Sequence, residues 1–200
     1  TQAATLPGTP AGQLILAFVP GGGPAHQRQI GQLAGAGLQW KLVGRANAQR
    51  GTAEIWEAYA DRVVDAIGQG TRSVVLVAQS LGGFTAPLVC ERSKVSCLVF
   101  VNAMIPNPGE TAGDWWANTR AKEARRDAAQ REGYSPEFDL ATYFLHDVPP
   151  EVAKAGEQRQ RNEAEIVFTE PCRFEALPRI PIHVIAGLSD RFFPIEFQQR

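Results

Sequence analysis

The sequence predicts an α/β protein whose mainly parallel sheet is flanked by helices on both faces. Short apolar runs of strand length, rich in β-branched residues, alternate with stretches that have helical periodicity. The chain has 200 residues, of which 44% are hydrophobic and 20% are charged, as expected for one globular domain with a substantial core. Such alternation implies parallel strands joined by right-handed crossovers. Parallel sheets of this kind bind ligands at the carboxyl ends of their strands, so a ligand is expected there.

The alternation covers the first half of the chain and returns once near its end. We predict strands at 14–19, 39–44, 73–78 and 96–102, and helices at about 24–36, 53–68 and 81–92. A last strand is predicted at 181–186.

Residues 106–175 interrupt this pattern. Pro106, Pro108 and Gly109 mark a loop, and the residues after them carry helical stretches but no convincing strand. One such stretch, 114–132, has many charged side chains, which are typical of a solvated helix face. We interpret 106–175 as a helical cap, inserted into a core that is formed by residues 1–105 and 176–200.

The segment 74–83, VVLVAQSLGG, carries the strongest chemical signal in the chain. Its apolar run ends abruptly before Ser80, as in a nucleophile elbow, where a serine lies on a strained turn between a strand and a helix. The elbow needs small residues two positions either side of the serine, and Ala78 and Gly82 are these residues here. The alternative interpretation is a serine N-cap on an ordinary helix.

A polar turn follows the predicted last strand and ends in Asp190. Since the carboxyl ends of parallel strands share one edge of the sheet, Asp190 is expected close to Ser80. We expect the Ser80 hydroxyl and the Asp190 carboxylate at neighbouring strand ends, about 6 to 9 Å apart, the span of one imidazole and two hydrogen bonds.

Composition narrows the class of ligand. A formal net charge of −1 and a pI near 6.3 give no reason to expect nucleic acid or an anionic membrane as partner.

The apolar runs are too short to span a membrane, and the start at Thr1 lacks the features of a signal peptide, so we interpret the chain as cytoplasmic. Cys90, Cys97 and Cys172 suit reduced core thiols. We expect no cofactor and no metal, and the sequence leaves the oligomeric state open.

These motifs together resemble the serine α/β-hydrolases, and within them the small, cap-bearing branch of plant methylesterases, hydroxynitrile lyases and bacterial esterase-like relatives. The resemblance rests on AQSLGG at 78–83, LVFVNAMIPNPGE at 98–110, the cap-sized insert and GLSDRFFPIEFQQR at 187–200.

The resemblance implies acyl transfer on a small, partly apolar carboxylic ester. Ser80 would attack the ester carbonyl, a histidine would remove its proton, and Asp190 would orient that histidine. The oxyanion hole would consist of the backbone N–H groups of Leu81 and of Gly22 in the loop VPGGG. The side chains that we consider for the pocket lining, each equally explained by core packing, are Met104, Trp115, Trp116 and Phe144.

The catalytic base is missing from the predicted site. The resemblance implies a histidine on a loop after the last strand, beyond Asp190, whereas the given residues end at Arg200. None of His26, His146 and His183 holds that position, so we name no histidine as the base. The expectation is that the last strand and helix of the fold are absent, through a natural truncation, a trimmed chain or a faulty gene model.

Two function classes therefore remain open. The first is a serine ester hydrolase, and the second is a catalytically silent hydrolase fold that binds a small ligand. A lyase ranks third, because the hydroxynitrile lyases use a threonine where this chain has Gly21. Relatives that need a carboxylate at the elbow are excluded by Ser80.

Overall fold

A computed structural model of the chain describes residues 14–18, 39–43, 54–69, 73–157 and 165–200. Its strands are β1 (Leu14–Phe18), β2 (Gln39–Val43), β3 (Val74–Gln79), β4 (Val95–Val101) and β5 (Ile182–Ile185). They form one sheet in the order β2-β1-β3-β4-β5, and every neighbouring pair is parallel. The strand order reverses between β1 and β3, which is the position where open α/β sheets bind ligands.

Two of the predicted helices, α1 (Ile55–Ile67) and α2 (Gly82–Arg92), lie within two residues of their predicted bounds. The other helices are α3 (Ala112–Thr119), α4 (Ala121–Glu132), α5 (Leu140–Phe144), α6 (Pro150–Glu157) and α7 (Ile195–Gln198), with a 3-10 helix at Glu165–Phe168. The helix predicted at 24–36 lies outside the described residues.

The main core lies where α1 and α2 pack against one face of the sheet. Trp56 of α1 stacks on Phe84 of α2 with ring centroids 4.9 Å apart, and both side chains are fully buried. Leu76 and Phe100 contribute from β3 and β4 on the same face. Since burying one such side chain stabilises the fold by about 1.5–3 kcal/mol, this layer holds the carboxyl ends of β3 and β4 in place.

The charged stretch predicted as one helix over 114–132 is two helices. Helix α3 begins with a capping box, in which Thr111 Oγ1 accepts from the Asp114 N–H and the Asp114 carboxylate accepts from Thr111 N–H. It ends at Arg120, whose φ of 55° lies in the left-handed region, and α4 begins at the next residue. The pattern of charged residues continues through Arg120 without a change, so the periodicity alone did not predict a left-handed residue there.

The long insert leaves and rejoins the core at one point. Gly109 N–H donates to the Cys172 carbonyl (2.7 Å), and Cys172 N–H donates to the Glu110 carbonyl (3.0 Å). Cys172 Sγ donates in turn to the Phe84 carbonyl of α2 at 2.9 Å. Burial raises the pKa of this thiol to about 12, so Cys172 is a packing residue at neutral pH.

Strand β5 leaves an apolar edge exposed in the described structure. It pairs with β4 alone, and its Ile182, Val184 and Ile185 side chains are exposed, Val184 by 55%. Leu188, just after the strand, is 84% exposed. An edge strand with unpaired backbone groups and apolar side chains is a template for pairing with another chain.

We therefore expect the 200-residue chain to self-associate through this edge. Val184→Lys should shift the chain toward monomer, because a lysine on an edge strand opposes pairing between chains. Sedimentation velocity over a concentration series measures the shift, with Leu177→Lys as the control at an exposed apolar residue off the strand. A sharp monomer species in the unsubstituted chain would contradict the expectation.

Candidate active site

Ser80 lies on a strained turn between β3 and α2. Its φ is 52°, a left-handed value that residues other than glycine adopt at a cost of about 1–3 kcal/mol. Ser80 N–H donates to the Val101 carbonyl (3.2 Å), and the Ser80 carbonyl accepts from Met104 N–H (3.0 Å) and Gly83 N–H (3.1 Å). A left-handed serine at such a turn is what the predicted nucleophile elbow requires, and it differs from an ordinary N-cap, whose residue has an extended backbone.

Gly83 permits the close approach that the elbow needs. A Cβ atom at this position would overlap the carbonyl oxygen of Met104, and it would lie 3.4 Å from the Cβ of Ala103. From the sequence, the small-residue requirement was assigned to Ala78 and Gly82. The structure adds Gly83 to this requirement, because the backbone of Met104 leaves no room for a side chain there.

The backbone N–H of Leu81 stands at the amino-terminal end of α2. Leu81 precedes the helix with φ −59° and ψ −19°, and its N–H makes no hydrogen bond within the described residues. Unpaired N–H groups at a helix start, together with the helix dipole, favour negative charge. Gly22, the predicted second oxyanion donor, lies outside the described residues.

Asp190 lies in the turn between β5 and α7, where its own carboxylate organises the backbone. Asp190 Oδ1 accepts from the N–H groups of Phe192 and Phe193, each at 2.8 Å. Burial raises the pKa of the Asp190 carboxyl, while these hydrogen bonds and the nearby His146 charge act in the opposite direction. Asp147, also nearby, raises the pKa further.

Ser80 and Asp190 follow strands whose carboxyl ends share one edge of the sheet, but the two strands are not neighbours. Strand β4 lies between β3 and β5, so the expectation of neighbouring strand ends is wrong. The sequence could not distinguish the two arrangements, because the order of strands in chain and in sheet need not agree. The separation of about 6 to 9 Å between the two side chains stays a prediction.

Asn102, which no sequence motif singled out, bridges this gap at the end of β4. Its side-chain Oδ1 accepts from Gly187 N–H at 2.7 Å, and its backbone N–H donates to the Ile185 carbonyl at 2.9 Å. The only local signal is an asparagine directly after a strand, because the side-chain partner Gly187 lies 85 positions further along the chain.

The insert between Met104 and Cys172 contacts the turn that carries Asp190. Arg191 donates to the Thr142 carbonyl (3.1 Å), and its guanidinium lies 4.6 Å from the centre of the Tyr134 ring. Phe192 packs against Phe144 with ring centroids 4.8 Å apart. Two residues of α5 and Tyr134, which precedes it, therefore hold the turn that carries Asp190.

The residues considered for the pocket lining differ in their surroundings. Met104 is buried beside the elbow. Trp115 is buried, and its Nε1 donates to the Ile105 carbonyl at 3.1 Å. Trp116 is half-buried against Phe192, whereas Phe144 is 45% exposed.

Neither described histidine hydrogen-bonds to Ser80 or Asp190. His183 is exposed on β5. His146, between α5 and α6, is half-buried near Asp190, and its Nδ1 atom is buried without a hydrogen-bond partner in the described structure. His26 lies outside the described residues.

A cleft of about 270 Å³ lies elsewhere, between α4 and α7. Six charged side chains, three of each sign, contribute to its lining: Arg120, Glu123, Asp127, Arg131, Glu196 and Arg200. Neither Ser80 nor Asp190 belongs to the lining. Within the described ranges no cluster of histidine, cysteine, aspartate and glutamate side chains could hold a metal ion, and no helix has the length and apolar content to cross a membrane.

Comparison with known proteins agrees with this geometry. The sequence profile of the alpha/beta hydrolase family matches residues 16–200. The chain belongs to the alpha/beta hydrolase family. Its resemblance to the α/β-hydrolases and its fold class are thus confirmed, and this membership supports hydrolase activity in the broad sense.

Solved structures of the same fold match nearly the whole chain. Polyneuridine aldehyde esterase has 19% sequence identity and a TM-score of 0.66, with 94% of this chain and 85% of that chain covered. An extracellular alpha/beta-hydrolase from a Paenibacillus species has 18% identity and a TM-score of 0.65, with coverage of 93% and 81%. A methylesterase from Arabidopsis has 17% identity and a TM-score of 0.62, with coverage of 93% and 83%. No curated protein matches the chain significantly.

Gly83→Ala should destabilise this alpha/beta hydrolase by about 3 kcal/mol or more, because the added methyl group overlaps backbone that cannot move aside. Gly68→Ala is the matched control. Gly68 has φ 72°, and no atom lies within 4 Å of the place that a methyl group would take, so only left-handed strain of about 1–2 kcal/mol is expected. Urea unfolding measures both free energies, and equal losses would contradict the close approach at Gly83.

Asp190→Asn should stabilise the fold at pH 7. Because burial raises the pKa of Asp190 in the folded state, the free energy of unfolding falls as pH rises from about 4 through that raised pKa. Asparagine keeps the oxygen that accepts from Phe192 and Phe193 but carries no charge. The stability gain should therefore shrink as pH falls toward about 4.

Asp139→Asn is the control with the opposite sign. Hydrogen bonds from Thr142 lower the pKa of Asp139 at the start of α5, so the carboxylate stabilises the fold above about pH 4 and the variant should lose stability at pH 7. Thermal unfolding at pH 4 and pH 7 measures both variants. An Asp190→Asn protein less stable than the unsubstituted chain at pH 7 would refute the assignment of a desolvated acid.

Proposed function

We propose that this chain is a serine ester hydrolase that acts through an acyl-enzyme. The observation that supports this most directly is the left-handed backbone of Ser80 at a turn between strand and helix. The neighbouring N–H of Leu81 makes no hydrogen bond within the described residues. Strain of this kind at a serine is typical of a nucleophile held for attack. Asp190, a carboxylate at the same edge of the sheet, supplies the acid of a triad.

In the first step Ser80 Oγ forms a bond to the ester carbonyl carbon while a histidine accepts the hydroxyl proton. The carbonyl oxygen becomes an oxyanion, which the N–H groups of Leu81 and Gly22 stabilise. The C–O bond to the alcohol then breaks, and the histidine returns the proton to the departing alcohol. Water repeats the sequence on the acyl-serine, and the carboxylic acid leaves.

We assign the helical insert 106–175 as a cap over this site, with core segments 1–105 and 176–200. Backbone pairing between 109–110 and Cys172 closes the insert at its base. Met104 and Phe144 are the best-supported lining residues, because the first neighbours Ser80 and the second packs on Phe192 beside the acid. A small, partly apolar ester is the substrate class that fits such a lining. The names of an esterase and a methylesterase among the similar structures agree with an ester.

The second candidate is a catalytically silent hydrolase fold that binds a small ligand. The observation in its favour is that neither His146 nor His183 hydrogen-bonds to Ser80 or Asp190 in the described structure. A triad without its base retains about 10³- to 10⁴-fold acceleration over water, from the oxyanion hole and binding.

We expect the 200-residue chain to be nearly inert toward short-chain aryl esters, since removal of a triad histidine lowers turnover by on the order of 10⁶. Fusing the carboxyl-terminal segment of a methylesterase relative, with its histidine loop, should restore hydrolysis. Release of the aryl alcohol, followed by absorbance, measures the turnover of each protein.

Ser80→Ala in the extended protein is the decisive comparison, because it removes the nucleophile and leaves the supplied histidine in place. The expected result is loss of the restored turnover. Equal turnover with and without the Ser80 hydroxyl would refute the assignment of Ser80. Ligand binding without turnover in every extended variant would favour the silent fold.

A further inference from the structure

The end of β4 contacts both halves of the candidate site. On one side, the Val101 carbonyl accepts from Ser80 N–H and Met104 N–H donates to the Ser80 carbonyl. These two bonds flank Asn102 in the chain. The backbone around Asn102 is therefore fixed relative to the elbow, and its side chain points away from β3 toward the loop after β5, where its hydrogen-bond partner lies.

On the other side, Asn102 belongs to a closed ring of hydrogen bonds that includes the acid. Asn102 Oδ1 accepts from Gly187 N–H (2.7 Å), and the Gly187 carbonyl accepts from Asp190 N–H (3.3 Å). Asp190 Oδ1 accepts from Phe193 N–H (2.8 Å), and the Phe193 carbonyl accepts from Gln198 Nε2 (2.7 Å). Gln198 Nε2 also lies 3.4 Å from Asn102 Oδ1, which closes the ring.

The residue type at this position answers two requirements. Asn102 has φ 43°, and asparagine adopts the left-handed region more readily than most residues. Its carbonyl oxygen supplies an acceptor that glycine, the other residue suited to this backbone, lacks. Space beside the acceptor is tight, because a Cβ on Gly187 would lie 3.2 Å from Asn102 Nδ2 and 3.5 Å from the Asp190 Cβ.

We propose that Asn102 is a positioning residue, which holds the Asp190 turn at a fixed place relative to the Ser80 elbow. The inference rests on the proposed function, in which Asp190 is the acid and Ser80 is the nucleophile. Asn102 acts through Gly187 and Gln198 and touches neither the substrate nor the reacting atoms. Since β4 separates the strands of the acid and the nucleophile, their relative position depends on a group that spans this strand.

Two substitutions separate the acceptor from the backbone conformation. Asn102→Gly keeps the left-handed backbone and removes the acceptor. Asn102→Asp keeps an acceptor for Gly187 N–H but places a second carboxylate beside Asp190. Both are made in the 200-residue chain, and NMR follows amide hydrogen exchange and the titration of the Asp190 carboxyl carbon.

In Asn102→Gly, the amide protons of Gly187, Phe192 and Phe193 should exchange about tenfold faster, the effect expected for a lost hydrogen bond. Asn102→Asp should restore the protection of Gly187. It should also raise the pKa of Asp190, because a like charge nearby disfavours ionisation, in addition to the existing effects of His146 and Asp147. A residue that merely stabilised the fold would accelerate exchange throughout the sheet and would not confine the effect to these amides.

Asn118→Gly and Asn118→Asp are the matched controls, since Asn118 Nδ2 donates to Glu110 Oε1 (2.7 Å) in a different part of the chain. They should leave the Gly187 amide and the Asp190 titration unchanged. Unchanged exchange in Asn102→Gly, or equal acceleration of exchange throughout β3 and β4, would overturn the inference. Should Asn102→Gly fail to fold, an unaltered Asp190 titration in Asn102→Asp would overturn it as well.

These measurements need no ester turnover, so the two proposals fail separately. An altered acid turn, together with an extended protein that shows no Ser80-dependent esterase activity, would uphold Asn102 as the residue that holds the turn and would refute the proposed function. Restored, Ser80-dependent esterase activity together with an unaltered turn would uphold the proposed function and refute the role of Asn102.

Discussion

The left-handed backbone of Ser80 is the constraint on which the rest of the site depends. This conformation costs a residue with a Cβ atom about 1–3 kcal/mol, so it persists only where the surrounding structure supports it. The support comes from backbone hydrogen bonds to the end of β4, at Val101 and Met104. Because α2 then starts against the Met104 carbonyl, position 83 has no room for a side chain. One strained residue thus determines where β3 ends, where α2 starts and why a glycine is needed in the first turn of that helix.

The end of β4 also serves the acid. A desolvated carboxylate is unfavourable in the folded protein, and the N–H groups of Phe192 and Phe193 offset part of that cost. The turn that presents these groups is tied to β4 through Asn102 and Gly187. The site therefore combines two destabilising features, a strained serine and a half-buried, partly desolvated carboxylate, and both depend on the same strand for support. Sites that trade stability for a fixed geometry have this character.

The sequence predicted those features whose cause is local. The limits of β3 and α2 follow from an apolar β-branched run and from the glycines after Ser80, and the prediction was within one residue. The break at Arg120 was missed, because nothing in the pattern of charges marks a left-handed residue. The strand β4 was predicted, but its place between β3 and β5 was missed, since the spatial order of strands depends on crossovers between distant segments. Asn102 and its partner at position 187 are 85 residues apart, so no local pattern links them.

Contacts between the cap and the acid turn link the size of the substrate space to the position of the acid. Arg191 and Phe192, directly after Asp190, both pack on the cap, through Tyr134, Thr142 and Phe144. A shift of the cap would therefore displace residues next to Asp190, whereas Ser80 is fixed from the opposite side by β4. Since misplacement by about 1 Å can cost 10²-fold in rate, the nucleophile and the acid can stay aligned only while the cap keeps its position. In the proposed enzyme, the helical insert would therefore help to position Asp190 as well as form a wall of the pocket.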